Sequence, residues 1–147
     1  MLSEIFTPRH IKLDLESTTK NDVFEELIGT IAAPDSEFDH RELLDAVTMR
    51  EEKMNTIVLP GVAVPHGYCR NVKGIIGAIG FSRTGIEYDN SDQNPVHLFF
   101  MLLMDESSRE QHLQVLSHLL ELINSPAFSE IRETGTPQAV YNLLSRY

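Results

Sequence analysis

The 147-residue chain has one cysteine, Cys69. An internal disulfide and a cysteine-rich zinc site are therefore excluded, and the composition fits a reducing compartment. Long apolar runs are missing as well: the longest, Leu98 to Met104, is far too short to span a bilayer as a helix. The opening residues, MLSEIFTPRH, lack the basic start and apolar stretch of a signal peptide. These features predict a soluble cytoplasmic protein with no membrane insertion. Basic residues are scarce, 12 against 22 acidic ones, for a formal net charge of -10. Such a surface repels nucleic acid, whose affinity rests on neutralised phosphates, and favours a protein partner with a basic patch. There is no GxxxxGK[ST] loop, no repeat and no Gly/Ser linker. The length and the 41% hydrophobic content predict one domain over residues 1–147 with a single core.

The periodicity places the elements. His10 to Leu15 alternates as a short strand. Thr19 opens a helix carrying Val23, Phe24, Leu27, Ile28 and Ile31, and Asp39 caps a second that runs to about Lys53. Beyond Asn55–Leu59, the run VAVPHG reads as a short apolar strand ending at Pro65. Gly74–Ser82 reads as a buried strand, Gly85–Tyr88 as a brief edge strand, and Val96–Met104 as a central strand apolar on both faces. A long helix, Arg109–Asn124, and two short ones, Ala127–Thr134 and Pro137–Arg146, complete the chain. Leu2, Ile5 and Phe6 are positioned to dock on the domain or on a second copy. Helices before, between and after apolar strands predict a three-layer α/β sandwich, a mixed, mostly parallel β-sheet flanked by helices on both faces.

Three residues point to an anion site. His66 follows Pro65 and precedes Gly67 at a strand end, where open α/β sheets bind ligands; the bland alternative, a loop histidine without a task, has about even weight. On a wheel centred on His112, the residues Leu113, Val115, Leu116, Leu119, Leu120, Leu122 and Ile123 fall on the same side. His112 thus faces inward near the helix N-terminus, which welcomes an anion and disfavours imidazolium. A core histidine with one hydrogen bond is the usual reason for such a position. Arg50 follows Leu43 and Val47, with Met54 after it, at spacings of i, i+4, i+7 and i+11. Its guanidinium is then costly unless it snorkels or pairs with an anion, for which its fork is well suited. A histidine can take a phosphoryl group at nitrogen.

These residues also carry a family resemblance. Arg50-Glu51-Glu52, Thr56, the run Gly61-Val-Ala-Val-Pro-His66-Gly67, Asn94-Pro-Val-His-Leu-Phe-Phe and His112-Leu-Gln-Val-Leu-Ser resemble the fructose/mannitol-type IIA proteins of the bacterial sugar phosphotransferase system. The resemblance extends over nearly the whole chain. It implies that His66 accepts phosphate from the phosphocarrier protein HPr and hands it to a IIB cysteine, on a IIB component that is separate or fused to the membrane IIC. It implies further that His112 helps hold the phosphoryl group, that Arg50 neutralises it and that Thr56 contributes to binding it. Neither a cofactor nor a metal ion enters this reading, and sugar specificity is expected to reside in the membrane component. Where many relatives are glycine-rich, this chain has Ile57-Val-Leu-Pro60, which stiffens the approach to the motif. The nitrogen-type IIA proteins are also similar; there the same chemistry serves to bind targets according to phosphorylation state. A third reading, a metal or thiol enzyme using His66, Cys69 and His112, lacks a third strong ligand or an organised base.

Overall fold

The computed structural model describes residues 1–88 and 93–147. Its frame is the strand pair β5 (Ile75–Ile86) and β6 (Val96–Met104), which run antiparallel. On the far side of β5 lies β1 (Ile11–Lys12), parallel to it. The other side of β6 carries β3 (Val62–Ala63) and β4 (His66–Tyr68), both parallel to β6. The outermost strand is β2 (Ile57–Leu59), antiparallel to β3. Three of the pairings are parallel and two antiparallel, so the sheet is mixed and mostly parallel by pairing, although its longest ladder is antiparallel.

In place of the single core expected, there are two clusters, one on each face of the sheet, and side chains on β6 alternate between them, as the period of a strand requires. Leu98, Phe100, Leu102 and Met104 face one cluster; Phe99, Met101 and Leu103 face the other. The first cluster is closed by α1 (Leu2–Ile5), α4 (Arg109–Ile123), α5 (Pro126–Thr134) and α6 (Pro137–Leu144). The second is closed by α2 (Lys20–Ile31) and α3 (His40–Lys53). The predicted sandwich is therefore observed, with helices on both faces.

Most helix boundaries follow their caps. Thr19 accepts from the N–H of Asp22, Asp39 from that of Arg41 and Thr136 from that of Ala139. Ser108 occupies the N-cap of α4, but its hydroxyl donates to Asp105 instead. Leu2, Ile5 and Phe6 are buried against the chain itself, with the Leu2 N–H bonded to the Tyr147 carbonyl.

Three strand expectations are corrected. The segment His10–Leu15 contributes only Ile11–Lys12, because Pro8–His10 form a 3-10 turn. Gly85–Tyr88 does not start a separate edge strand. β5 runs through to Ile86 across an irregularity after Phe81, with Gly85 at φ +85°. The chain also does not leave the sheet at Pro65. Proline lacks an N–H, but its carbonyl accepts from the N–H of Leu102, so the backbone stays beside β6 and re-forms strand at His66. His66 therefore opens β4 instead of closing the preceding strand.

Candidate functional site

The break between β3 and β4 sets the directions of the side chains around it. His66 and Tyr68 point toward α4, and Gly67 points toward α3. A Cβ on Gly67 would lie 2.7 Å from the Ala46 carbonyl carbon and 2.8 Å from the Val47 nitrogen. Glycine here lets the α3 backbone lie directly on β4, which brings the end of that helix, with Arg50, beside His66.

The imidazole of His66 is half-buried, and its Nδ1 lies 2.9 Å from the Val64 carbonyl oxygen. A carbonyl only accepts, so Nδ1 carries the proton and Nε2 keeps its lone pair in the neutral ring. Burial lowers the pKa of His66; the Val64 bond opposes this, Arg50 adds to it and Glu51 opposes it. The ring of His112 stands 4.7 Å away, centroid to centroid, tilted by 56°. His112 is buried, and its Nε2 has no hydrogen-bond partner among the described residues. Burial, then the neighbouring His66 and Arg50, lower its pKa to about 4. Both rings are thus held neutral at pH 7.

Arg50 donates from Nη1 to the Met54 carbonyl, 2.8 Å away, at the end of α3. Its placement differs from the expected stripe. The buried residues of α3 are Leu43, Val47 and Glu51, whereas Arg50 is half-buried and Met54 is exposed. Helix geometry ends at Lys53 and Met54 is extended, so the i+11 position no longer shares the helical face. On α4 the buried stripe is His112, Val115, Leu119 and Leu122, narrower than expected. Leu113 and Leu120 lie on its flank and are exposed, because only one edge of the helix touches the sheet.

Arg50, Thr56, His66 and His112 all line one cavity of about 230 Å³, together with Met54, Val58 and Leu116. The structure thus brings the four residues singled out in the sequence together. Thr56 is buried, and its hydroxyl donates to Glu51 Oε2 at 2.7 Å, so its proton is committed away from the cavity. Cys69 is buried elsewhere, its thiol pushed up to about 11 by burial and by Glu42, which leaves it a poor nucleophile. No group of three metal-ligating side chains occurs among the described residues. No helix among them is long and apolar enough to cross a membrane. The residue that sequence reasoning passed over is Glu51; its signal was a carboxylate at i+8 from Leu43 and i+4 from Val47, on the stripe that is buried.

The site's depressed histidines make stability pH-dependent. The unfolded chain protonates His112 near its ordinary 6.5, the folded chain only at about 4. The unfolded state then binds more protons within that window, so stability is full above 6.5 and falls as the pH drops toward 4. The variant His112→Gln is expected to lose less stability than the parent between pH 7 and pH 4.5, measured as the urea midpoint at each pH.

Comparison with known proteins identifies the family of the chain. The family model described as "Phosphoenolpyruvate-dependent sugar phosphotransferase system, EIIA 2" matches residues 4–147. The fructose-specific EIIABC component of Bacillus subtilis (strain 168) is 27% identical over 147 residues, 99% of this chain, and the chain spans 23% of that protein's length. The nitrogen regulatory protein of Pseudomonas aeruginosa is 26% identical over 144 residues, 97% of this chain and 94% of the relative. Among solved structures, the nitrogen regulatory protein IIA-Ntr of Neisseria meningitidis superposes with a TM-score of 0.84 at 32% identity, covering 97% of each chain.

Proposed function

This chain belongs to the EIIA 2 family of the phosphoenolpyruvate-dependent sugar phosphotransferase system, and we propose that it carries a phosphoryl group on His66, taken from phosphorylated HPr and passed to a IIB cysteine for sugar uptake. A family of this kind is a phosphotransferase component, and the cavity supports the assignment of the carrier atom. The observation that carries it is the bond from His66 Nδ1–H to the Val64 carbonyl. That bond leaves Nε2, with its lone pair, as the nitrogen free to attack phosphorus.

In the transfer, the Nε2 lone pair forms the new P–N bond as the bond from phosphorus to its donor breaks. The donor takes away that electron pair. In the onward step the bond to Nε2 breaks as a thiolate sulfur of IIB bonds to phosphorus, and His66 regains its neutral ring. Transfer of this kind depends on position and on charge stabilisation. Arg50 supplies the positive charge. His112, neutral and with an unpaired Nε2, supplies a hydrogen bond to a phosphoryl oxygen. Thr56 acts on the cavity wall through Glu51. Met54 and Val58 line the cavity and are exposed, which gives its opening an apolar edge suited to pressing a partner's surface against the site and excluding water. The chain then works as one cytoplasmic IIA domain. Incubation with phosphoenolpyruvate and the general phosphotransfer proteins is expected to give an acid-labile label that requires HPr and moves to IIB on its addition. Labelling that is acid-stable or independent of HPr contradicts the reading.

A second reading is regulatory output from the same chemistry, favoured by the extent of the match to the Neisseria IIA-Ntr structure. Pull-downs with phosphorylated and unphosphorylated protein separate the two. Phosphorylation-dependent capture of a target outside the transport system supports regulation, and capture of a sugar-specific IIB alone supports transport.

A further inference from the structure

Glu51 is buried, at 7% exposure, beside the residue that brings positive charge to the site. Its Oε1 accepts from the Thr56 N–H at 3.2 Å and its Oε2 from the Thr56 hydroxyl at 2.7 Å. Lys20 Nζ, at the start of α2, lies 2.9 Å from Oε1. The bonds continue beyond Thr56. Its carbonyl accepts from the Val64 N–H at 2.9 Å, and the Val64 carbonyl accepts from His66 Nδ1–H at 2.9 Å. An unbroken series of contacts therefore links Lys20, Glu51, Thr56, Val64 and the ring of His66.

A buried ion pair is weak evidence of stability, since apolar residues of the same volume commonly serve as well. A carboxylate close to a site for a phosphate dianion is also unfavourable unless its charge is compensated, as Lys20 does here. The arrangement needs a reason beyond packing. We propose that Glu51 is a positioning residue for His66: its carboxylate, paired with Lys20, holds Thr56 and, through Thr56 and Val64, fixes the His66 ring with its proton on Nδ1. This rests on the reading of His66 as the phosphoryl acceptor. The neutral ring then presents the Nε2 lone pair, and no tautomer change precedes transfer. Separately, the charge of Glu51 makes the imidazole more basic, opposing the effects of burial and Arg50. The other titratable ring against His66 is His112. Thr56 in this scheme is the link between carboxylate and loop.

The test is a pH series of long-range proton–nitrogen NMR spectra of the His66 ring in the unphosphorylated full chain, for the parent, Glu51→Gln and Glu51→Asp. In Glu51→Gln one acceptor becomes an N–H₂ group facing Thr56 or Lys20. The fraction of His66 protonated on Nε2 is expected to rise, the ring to titrate at lower pH and labelling through HPr to slow about tenfold. Glu51→Asp is expected to recover part of each. If Glu51→Gln does not fold, the double variant Lys20→Met/Glu51→Gln removes both charges together and is expected to show the same tautomer change. A folded variant whose His66 tautomer and titration match the parent overturns the proposal, whatever its melting temperature. Because the ring is read without phosphate, a parent protein that takes no label contradicts the phosphoryl-carrier reading and leaves this test intact.

Discussion

Replacing His66 by alanine is expected to bring acid-labile labelling from phosphoenolpyruvate down to background while the protein still unfolds cooperatively. The ring is half-buried and its hydrogen bond goes to a backbone carbonyl two residues away, so its removal strips the site and spares the frame. His112→Ala should behave differently. It removes a hydrogen-bond donor to the transferring group but leaves the nucleophile, so label still accumulates, about a hundredfold more slowly. The contrast between the two variants carries the assignment. Label persisting in His66→Ala places the acceptor elsewhere, and equal loss in both contradicts the supporting role of His112. Time courses of labelling with HPr in excess measure the difference.

Gly67→Ala is expected to affect both stability and phosphorylation, although Gly67 lies outside the cavity. The added methyl meets backbone atoms of α3 at 2.7 and 2.8 Å, and backbone cannot rotate away as a flexible side chain would. Either the helix lifts off β4 or the strand shifts along β6. Overpacking of this kind costs about 1–3 kcal/mol, partly offset by the reduced freedom that alanine brings to the unfolded chain. The same shift moves Arg50 from His66, so phosphorylation is expected to slow by about tenfold or more even at temperatures where the variant is fully folded. Denaturant midpoints and labelling rates on one preparation check both effects. A stability loss with an unchanged labelling rate separates the packing of α3 from the placement of Arg50.

How much of this was legible in the sequence differs by element. α2 and α4 were legible almost to the residue, because Thr19 caps the first and apolar residues recur every three to four positions in both. β6 was legible from its unbroken apolar run, which only a strand buried on both faces tolerates. The edge beside β6 was not. Proline in the sequence signals the end of a strand, yet its carbonyl carries the pairing with Leu102 onward and His66 re-enters the sheet. Composition does not show which half of a peptide unit a neighbour uses. For the site, His66, His112 and Arg50 came from position and wheel, but the wheel for Arg50 ran past the end of its helix to Met54. That overrun hid Glu51, whose burial depends on Lys20, 31 positions earlier, and on Thr56, five positions later. A pairing between two helices and a loop is long-range and leaves no local period.

The chemistry converges on one atom, Nε2 of His66. Nitrogen-15 labelled protein, phosphorylated through HPr and examined by NMR for phosphorus–nitrogen coupling, identifies that atom directly. The account requires the coupling on His66 Nε2, with Nδ1 still protonated and bonded to the Val64 carbonyl. Coupling on Nδ1, or on any residue other than His66, would contradict it.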